Sequence, residues 1–238
     1  MGSIDKWKED LSYDIRTNSD WDNKDGDPRI PHTGWSEVTA ANREVFKERF
    51  LRVKDYCSCI LEIGISRNGA DSFTNVLLDN KNKETVYIGI DIDDKNYLNN
   101  VENNVYTIRN SSSNVEENMK LINEIFDKCN VQRRQFDFIF IDGWHSINQC
   151  LIDWEYTSIL GENGIVGLHD TAYHPGPKAF MNALNFDKWI VEQNVIETKD
   201  DWGIGFAWKK HNSNWIACPM GYEWQIEAPS ADVIQRAR

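Results

Sequence analysis

The chain has 238 residues, a formal net charge of −12 and 40% hydrophobic residues, which suits one large domain and excludes wholesale disorder. No apolar run reaches the roughly 18 residues of a membrane helix, and the N-terminal stretch lacks the apolar core of a secretion signal, so we expect a cytoplasmic protein without a membrane partner. The acidic balance disfavours nucleic acid as a substrate, because binding a phosphate backbone usually needs a basic face.

Short apolar strands alternate with amphipathic helices along most of the chain. We expect an N-terminal loop or lid at 1–40, a core domain at 41–210 and a tail at 211–238. In chain order the patterns predict a helix at 39–56, a strand at 59–65, a helix at 70–80, and strands at 85–92 and 105–110. A helix at 115–129, a strand at 136–142, a helix at 147–160, a strand at 164–170, a helix at 175–184, and strands at 188–198 and 202–210 follow.

The arrangement of these elements predicts the fold. The first five strands are nearly continuous apolar runs, which is typical of parallel strands buried on both faces. The last two strands lack an intervening helix, so they can pair antiparallel at the sheet edge. The expected fold is therefore α/β: a Rossmann-like, doubly wound, mostly parallel seven-stranded sheet with an antiparallel edge strand. In such sheets ligands bind at the carboxyl ends of the strands.

The turn after the first strand, EIGISRNGA, predicts a cofactor site. Gly64 lets the backbone approach a ligand closely, and the second strand ends at Asp91, where an acid can grip ribose hydroxyls. NAD-binding proteins use the same arrangement, but here Ser66, a candidate cofactor contact in the turn, occupies the place of the second glycine of the NAD motif, and Glu62 would repel a pyrophosphate. Glu62 can instead accept from the cationic amino acid end of S-adenosylmethionine, which favours that cofactor.

Polar residues after the later strands extend this site. Asn110 and Ser111 follow the third strand and are candidates for adenine contacts. Asp142 follows the fourth strand and is a candidate for both cofactor and metal contacts.

A metal and a base are predicted at the fourth and fifth strand ends. FDFIFIDGWHS places Asp142 and His145 after one strand, and GIVGLHDT places His169 and Asp170 after the next. Carboxylates at adjacent strand ends can converge on one cation, and oxygen ligands suit Mg²⁺ or Mn²⁺. His145 can then remove a proton near neutral pH. The alternative is that the two aspartates cap helices and the two histidines are packing groups.

At this point the chain resembles a known family. EIGISRNGA, IGIDID, FDFIFIDGWHS, the helix with Asp153 and LGENGIVGLHDT follow the order of a group of class I methyltransferases. That group includes the metal-dependent macrolide-sugar O-methyltransferases and the rhamnosyl O-methyltransferase/cephalosporin hydroxylase-like proteins, and the resemblance covers roughly 58–185. It implies Asp142 and Asp170 as metal ligands, His169 as a candidate third and His145 as the general base. His169 stands where many relatives carry an acid.

The acceptor is expected to be a sugar, a glycan or a glycosylated small molecule, although catechol-type phenols suit the metal site nearly as well. Aromatic faces that can stack on a sugar ring lie near predicted loops or strand ends, at Trp21, Trp35, Trp144 and Trp202. The tail can form a lid or a dimer arm, with a homodimer as one option. Two other functions stay open: a metal-dependent hydrolase, and a non-catalytic module that binds S-adenosylmethionine.

Overall fold

A computed structural model describes residues 40–65, 72–172, 174–194 and 202–210, together with the backbone of two short strands at 215–217 and 223–225. The predicted loop or lid before Ala40 therefore lies outside the described residues. So do Ser66 and most of the predicted tail.

Seven strands form one sheet, and their bounds agree with the predicted strands to within a few residues. The strands are β1 (Cys59–Ile63), β2 (Val86–Asp91), β3 (Val105–Arg109), β4 (Phe136–Ile141), β5 (Leu160–His169), β6 (Trp189–Asn194) and β7 (Ile204–Lys209). Their order across the sheet is β3-β2-β1-β4-β5-β7-β6, and the neighbours from β3 to β5 pair parallel. β7 pairs antiparallel with both β5 and β6, so the reversed strand lies one place inside the edge.

Five helices alternate with these strands, as the sequence predicts: α1 (Ala40–Val53), α2 (Phe73–Asn80), α3 (Val115–Lys128), α4 (Ile147–Trp154) and α5 (Pro175–Ala183). Serine side chains cap two of them, since Ser72 accepts from the N–H of Asn75 and Ser146 from that of Gln149. α4 is shorter than predicted because a 3-10 segment, Glu155–Ile159, continues the turn in a tighter form. β5 begins earlier than predicted because Leu160 already pairs with the start of β4.

The hydrophobic core lies on both faces of the sheet. Along β4, Phe138 and Phe140 pack on one face, and Ile139 and Ile141 pack on the other. This alternation within a fully buried strand is the geometry that a parallel, doubly covered sheet requires.

Within the ranges given above, every helix is too short or too polar to cross a membrane. The tail contains an antiparallel pair of strands, β8 (Trp215–Ala217) and β9 (Glu223–Gln225), which the sequence patterns did not predict.

Candidate functional site

A cluster of acidic and imidazole side chains lies where β4 and β5 end. The two strands pair in parallel register, so the residues that follow them lie side by side. His169 Nδ1 is 3.0 Å from Asp142 Oδ1 and 3.4 Å from Asp170 Oδ2. His145 Nε2 is 2.6 Å from the same Asp170 oxygen. The structure thus brings together all four residues that the sequence predicted here.

The backbone that carries Asp170 has an unusual shape. Asp170 has a φ of +61°, which is uncommon for a residue other than glycine. The two residues just before β7 hold the following turn, because the N–H of Thr171 donates to the Gly203 carbonyl (3.3 Å) and the N–H of Ala172 donates to the Trp202 carbonyl (2.9 Å). The position of Asp170 therefore depends on a strand more than 30 residues later in the chain.

His174 is a site residue that the sequence analysis missed. It precedes α5 and is almost fully buried, and its ring stacks on that of His145 with centroids 3.9 Å apart and planes 16° apart. The ring of Trp202 also stacks with that of His174, with centroids 6.0 Å apart and planes 25° apart. A histidine four residues after Asp170, just before the helix-starting Pro175, was the signal available in the sequence.

The cluster is nearly buried and its charges compensate one another. Burial by itself lowers the pKa of His169, but the carboxylates of Asp170 and Asp142 outweigh burial and raise that pKa well above its ordinary value. Burial also lowers the pKa of His145, but the carboxylate of Asp170 outweighs burial and raises that pKa. Burial alone would raise the pKa of Asp170, yet His169 and His145 hold it well below the usual range. Asp170 therefore lies against two imidazoles, with His145 Nε2 as the closer partner.

The glycine turn after β1 packs against the end of β4. Gly64 has a φ of +83°, and a Cβ there would overlap the carbonyl oxygen of Asp142. Asp91, at the end of β2, accepts from the backbone N–H of Ile65 in this turn at 2.8 Å, with the Lys95 ammonium 3.9 Å away. The predicted ribose acid, the turn and the cluster after β4 therefore share one edge of the sheet.

Glu62 lies beneath this turn and is fully buried. Its carboxyl group accepts from the hydroxyl of Thr74 at 2.9 Å and from that of Tyr87. Burial, which outweighs these two hydrogen bonds, raises its pKa to about 8. A contact between Glu62 and the amino acid end of a cofactor stays a prediction.

Asn110 and Ser111 shape the loop between β3 and α3. Asn110 accepts from the backbone N–H of Ser111 and from the side chain of Asn114, and it donates to Glu117. Ser111 accepts from the N–H of Ser113. Their contacts with adenine stay predictions.

Behind this loop, Gln149 of α4 joins it to a buried acid. The Gln149 amide donates to Ser112 at 3.0 Å and to Asp153 at 2.8 Å. Burial raises the pKa of Asp153 to about 6. The loop after β3 and the helix that follows the Asp142–His145 turn are thus linked by side chains.

The donor atoms of the cluster lie close enough together to hold one metal ion. Those of Asp142, His169 and Asp170 are all within 4.8 Å of one another, and the same limit holds for a second set made of His145, Asp170 and His174. The two sets share Asp170. The first set is the one that the sequence predicted.

Comparison with known proteins extends these observations. No protein-family model and no curated protein matches the sequence. Among solved structures, the chain is similar to the MycE methyltransferase from the mycinamycin biosynthetic pathway in complex with Mg, SAH and mycinamycin VI, with 16% identity, a TM-score of 0.51, and coverage of 76% of this chain and 51% of that chain. This chain therefore spans about half the length of MycE.

Two further solved structures have a comparable likeness. An O-methyltransferase from Bacillus cereus in complex with SAH has 16% identity and a TM-score of 0.50, over 85% of this chain and 91% of that one. An rRNA methylase from Streptococcus thermophilus has 10% identity and a TM-score of 0.52, over 74% and 100%. The chain has the Rossmann-like fold of these methyltransferases. The predicted fold class is confirmed.

Proposed function

We propose that the protein is an S-adenosylmethionine-dependent O-methyltransferase that methylates a hydroxyl group of a sugar or of a glycosylated small molecule. The observation that carries the proposal is the shared sheet edge, where the Gly64 turn and Asp91 lie beside the cluster of Asp142, His145, His169 and Asp170. SAH bound to two proteins of this fold, MycE and the Bacillus cereus O-methyltransferase, supports the cofactor.

In the proposed reaction the acceptor oxygen attacks the methyl carbon on the sulfonium. The new C–O bond forms as the S–C bond breaks, the electron pair of that bond stays on sulfur, and the hydroxyl proton passes to His145. Asp170, 2.6 Å from His145 Nε2, orients the imidazole and stabilises its protonated form. A divalent cation held by Asp142, His169 and Asp170 would supply a Lewis acid that lowers the pKa of the hydroxyl.

Aromatic side chains near the cluster suit a sugar ring. Trp144 adjoins His145 and is 45% exposed, and Trp202 lies against His174. An indole face offers a sugar both apolar contact and a polar edge. Mycinamycin VI bound to MycE supports a small-molecule acceptor, and the sugar rests on the resemblance to the macrolide-sugar O-methyltransferases. Trp21 and Trp35, the other two candidates, lie outside the described residues.

The net charge of −12 supports an acceptor other than nucleic acid. One fold hosts many substrates, so likeness to an rRNA methylase does not oppose this proposal. A hydrolase built on the same cluster would have no use for Asp91 or for the glycine turn.

Calorimetry with S-adenosylmethionine, SAH and NAD tests the cofactor. We expect the first two to bind and NAD not to bind. Loss of the ribose contacts in Asp91→Ala should weaken binding roughly 10–150-fold. Asp91→Asn keeps an acceptor for the N–H of Ile65 but loses the carboxylate. A loss of affinity in this variant therefore comes from the ribose contact and not from the turn. Asp79→Ala, an exposed change on α2, is the matched control. Equal affinities for wild type and Asp91→Ala would remove Asp91 from the site.

Turnover is tested with methyl-labelled S-adenosylmethionine and a panel of free and glycosylated sugars. Label transferred to a hydroxyl oxygen supports the proposal. Binding without transfer to any acceptor, including catechols, would instead favour a non-catalytic module.

A further inference from the structure

We propose that His169 makes this a mixed nitrogen and oxygen site that takes a divalent transition metal, such as Co²⁺ or Zn²⁺, through Nδ1, in preference to Mg²⁺. This inference deepens the cation part of the proposed function and rests on it. The sequence analysis predicted Mg²⁺ or Mn²⁺ because the two carboxylates provide oxygen ligands, which suit those ions.

The orientation of the His169 ring is the first observation. Nδ1 faces both carboxylates, 3.0 Å from Asp142 and 3.4 Å from Asp170, so it lies at the point where their oxygens converge. The ring is 3% exposed and is packed edge-on against Phe73, with centroids 4.8 Å apart. Because close packing resists rotation of a buried ring, Nδ1 stays directed at the carboxylates.

The chemistry of the donor set is the second observation. Mg²⁺ favours six oxygen ligands in an octahedron and keeps several of its waters, whereas imidazole nitrogen suits Zn²⁺, Fe²⁺, Ni²⁺ and Cu²⁺. Here one of the three convergent atoms is nitrogen, and two of the three side chains are almost fully buried. The side chain of Asp142 is 17% exposed, so this set of ligands is in contact with solvent.

The third observation separates His169 from the other two imidazoles. His145 contacts Asp170 as a member of the second set, and its ring stacks face to face with that of His174, with centroids 3.9 Å apart. Ring nitrogens bind metals along the ring plane, so two stacked, nearly parallel rings do not point their lone pairs at one ion. The set that contains His169 is therefore the better ligand set.

The test uses the full chain freed of metal and titrated with Mg²⁺, Co²⁺ and Zn²⁺ by calorimetry, with the visible absorption of bound Co²⁺ as a second readout. We expect Co²⁺ and Zn²⁺ to bind and Mg²⁺ to bind at least ~100-fold more weakly. His169→Asp places an oxygen near the position of Nδ1. It should reduce the Co²⁺ to Mg²⁺ affinity ratio ~10-fold or more and change the Co²⁺ spectrum.

His174→Gln discriminates between the two sets of donor atoms: it removes a ligand of the second set only, so if the first set holds the metal, the affinity ratio and the Co²⁺ spectrum should stay close to those of wild type. An unchanged ratio in His169→Asp, or a loss of Co²⁺ binding in His174→Gln alone, would overturn the proposal. So would a wild-type protein that binds Mg²⁺ as tightly as Co²⁺, or that binds no divalent ion. None of these measurements uses S-adenosylmethionine, so failure here is distinct from failure of the cofactor proposal.

Discussion

At the scale of single residues, Asp170 is the most heavily shared group in the site. One of its oxygens accepts from His145 and lies near His169, and its backbone carbonyl accepts from the N–H of His174. A change at Asp170 should therefore affect the proposed metal ligands, the proposed base His145 and the loop together. Substitutions at the histidines separate these roles better.

His145→Asn tests the base. A positioned base contributes roughly 10²–10⁴-fold to the rate, so kcat should fall by that order while cofactor affinity stays nearly unchanged. Because a base must be unprotonated and Asp170, against the effect of burial, raises the pKa of His145, wild-type activity should fall as the pH is lowered through that raised value. Steady-state kinetics against pH measure both effects. An asparagine variant with most of its activity would contradict the assignment, and loss of turnover in His169→Ala with metal still bound would transfer the role to His169.

Glu62 gives a prediction about stability. A carboxyl group whose pKa rises from 4.5 to about 8 on folding holds its proton more tightly in the folded state. Its contribution is fully present below pH 4.5 and is lost as the pH rises through about 8, by an amount on the order of 5 kcal/mol. Glu62→Gln keeps the volume and an acceptor for Thr74 but does not titrate. The free energy of unfolding, measured with denaturant at about pH 5 and about pH 8.5, should therefore fall more between these two values for wild type than for the variant. An equal fall in wild type and variant would contradict a raised pKa of Glu62 in the folded protein.

At the scale of elements, β7 matters more than its place near the sheet edge suggests. It folds back between β5 and β6, and the two residues just before it, Trp202 and Gly203, hold the turn that follows Asp170. Gly203 permits this, because it has a φ of +80° and a Cβ there would overlap Ala172. The geometry of the site after β5 is thus set partly by β7.

Gly203→Ala should consequently destabilise the protein by about 1–3 kcal/mol and displace the turn after Asp170. Thermal unfolding should show a Tm lower by roughly 2–4 °C for each kcal/mol, and metal affinity should fall as well. Gly161→Ala is the comparison variant: its φ is not positive and its Cβ would meet two oxygens at 3.3 Å, a tight contact without overlap, so it should destabilise the protein less than Gly203→Ala. Equal stability of Gly203→Ala and wild type would show that β7 does not constrain the turn.

At the scale of the whole molecule, an aromatic layer joins α1 to the sheet. The ring of Phe46 is fully buried, and its centroid lies 4.6 Å from that of Phe73, 5.6 Å from that of Phe138 and 4.5 Å from that of Phe140. Phe73 in turn packs on His169. The hydrophobic core therefore supports the site directly.

Phe46→Ala should lower the free energy of unfolding by about 3–5 kcal/mol, because truncation removes apolar burial and leaves a cavity. For a chain of this size the Tm should fall by roughly 6–20 °C. Leu51→Ala on the same helix is the control: that side chain is 42% exposed, and such a change typically costs within about 0.5 kcal/mol. Similar losses for both variants would contradict the described packing of α1.

The sequence by itself determined the succession of strands and helices, the parallel sheet and the edge at which Asp91, Asp142, His145, His169 and Asp170 meet. These features depend on local patterns, since an apolar run such as FDFIFI specifies a buried strand and the residue that follows it must lie at the strand end. That local relation is why the cluster could be predicted without any knowledge of contacts.

Only the tertiary structure decided how those residues face one another. The insertion of β7 beside β5, the stacking of His174 on His145 and the full burial of Glu62 beneath Thr74 and Tyr87 each join residues that are distant in the chain. Periodicity reports which face of an element is buried but not which partner covers it, because many partners bury the same apolar area equally well. The choice among them comes from the close packing of the whole sheet with its helices.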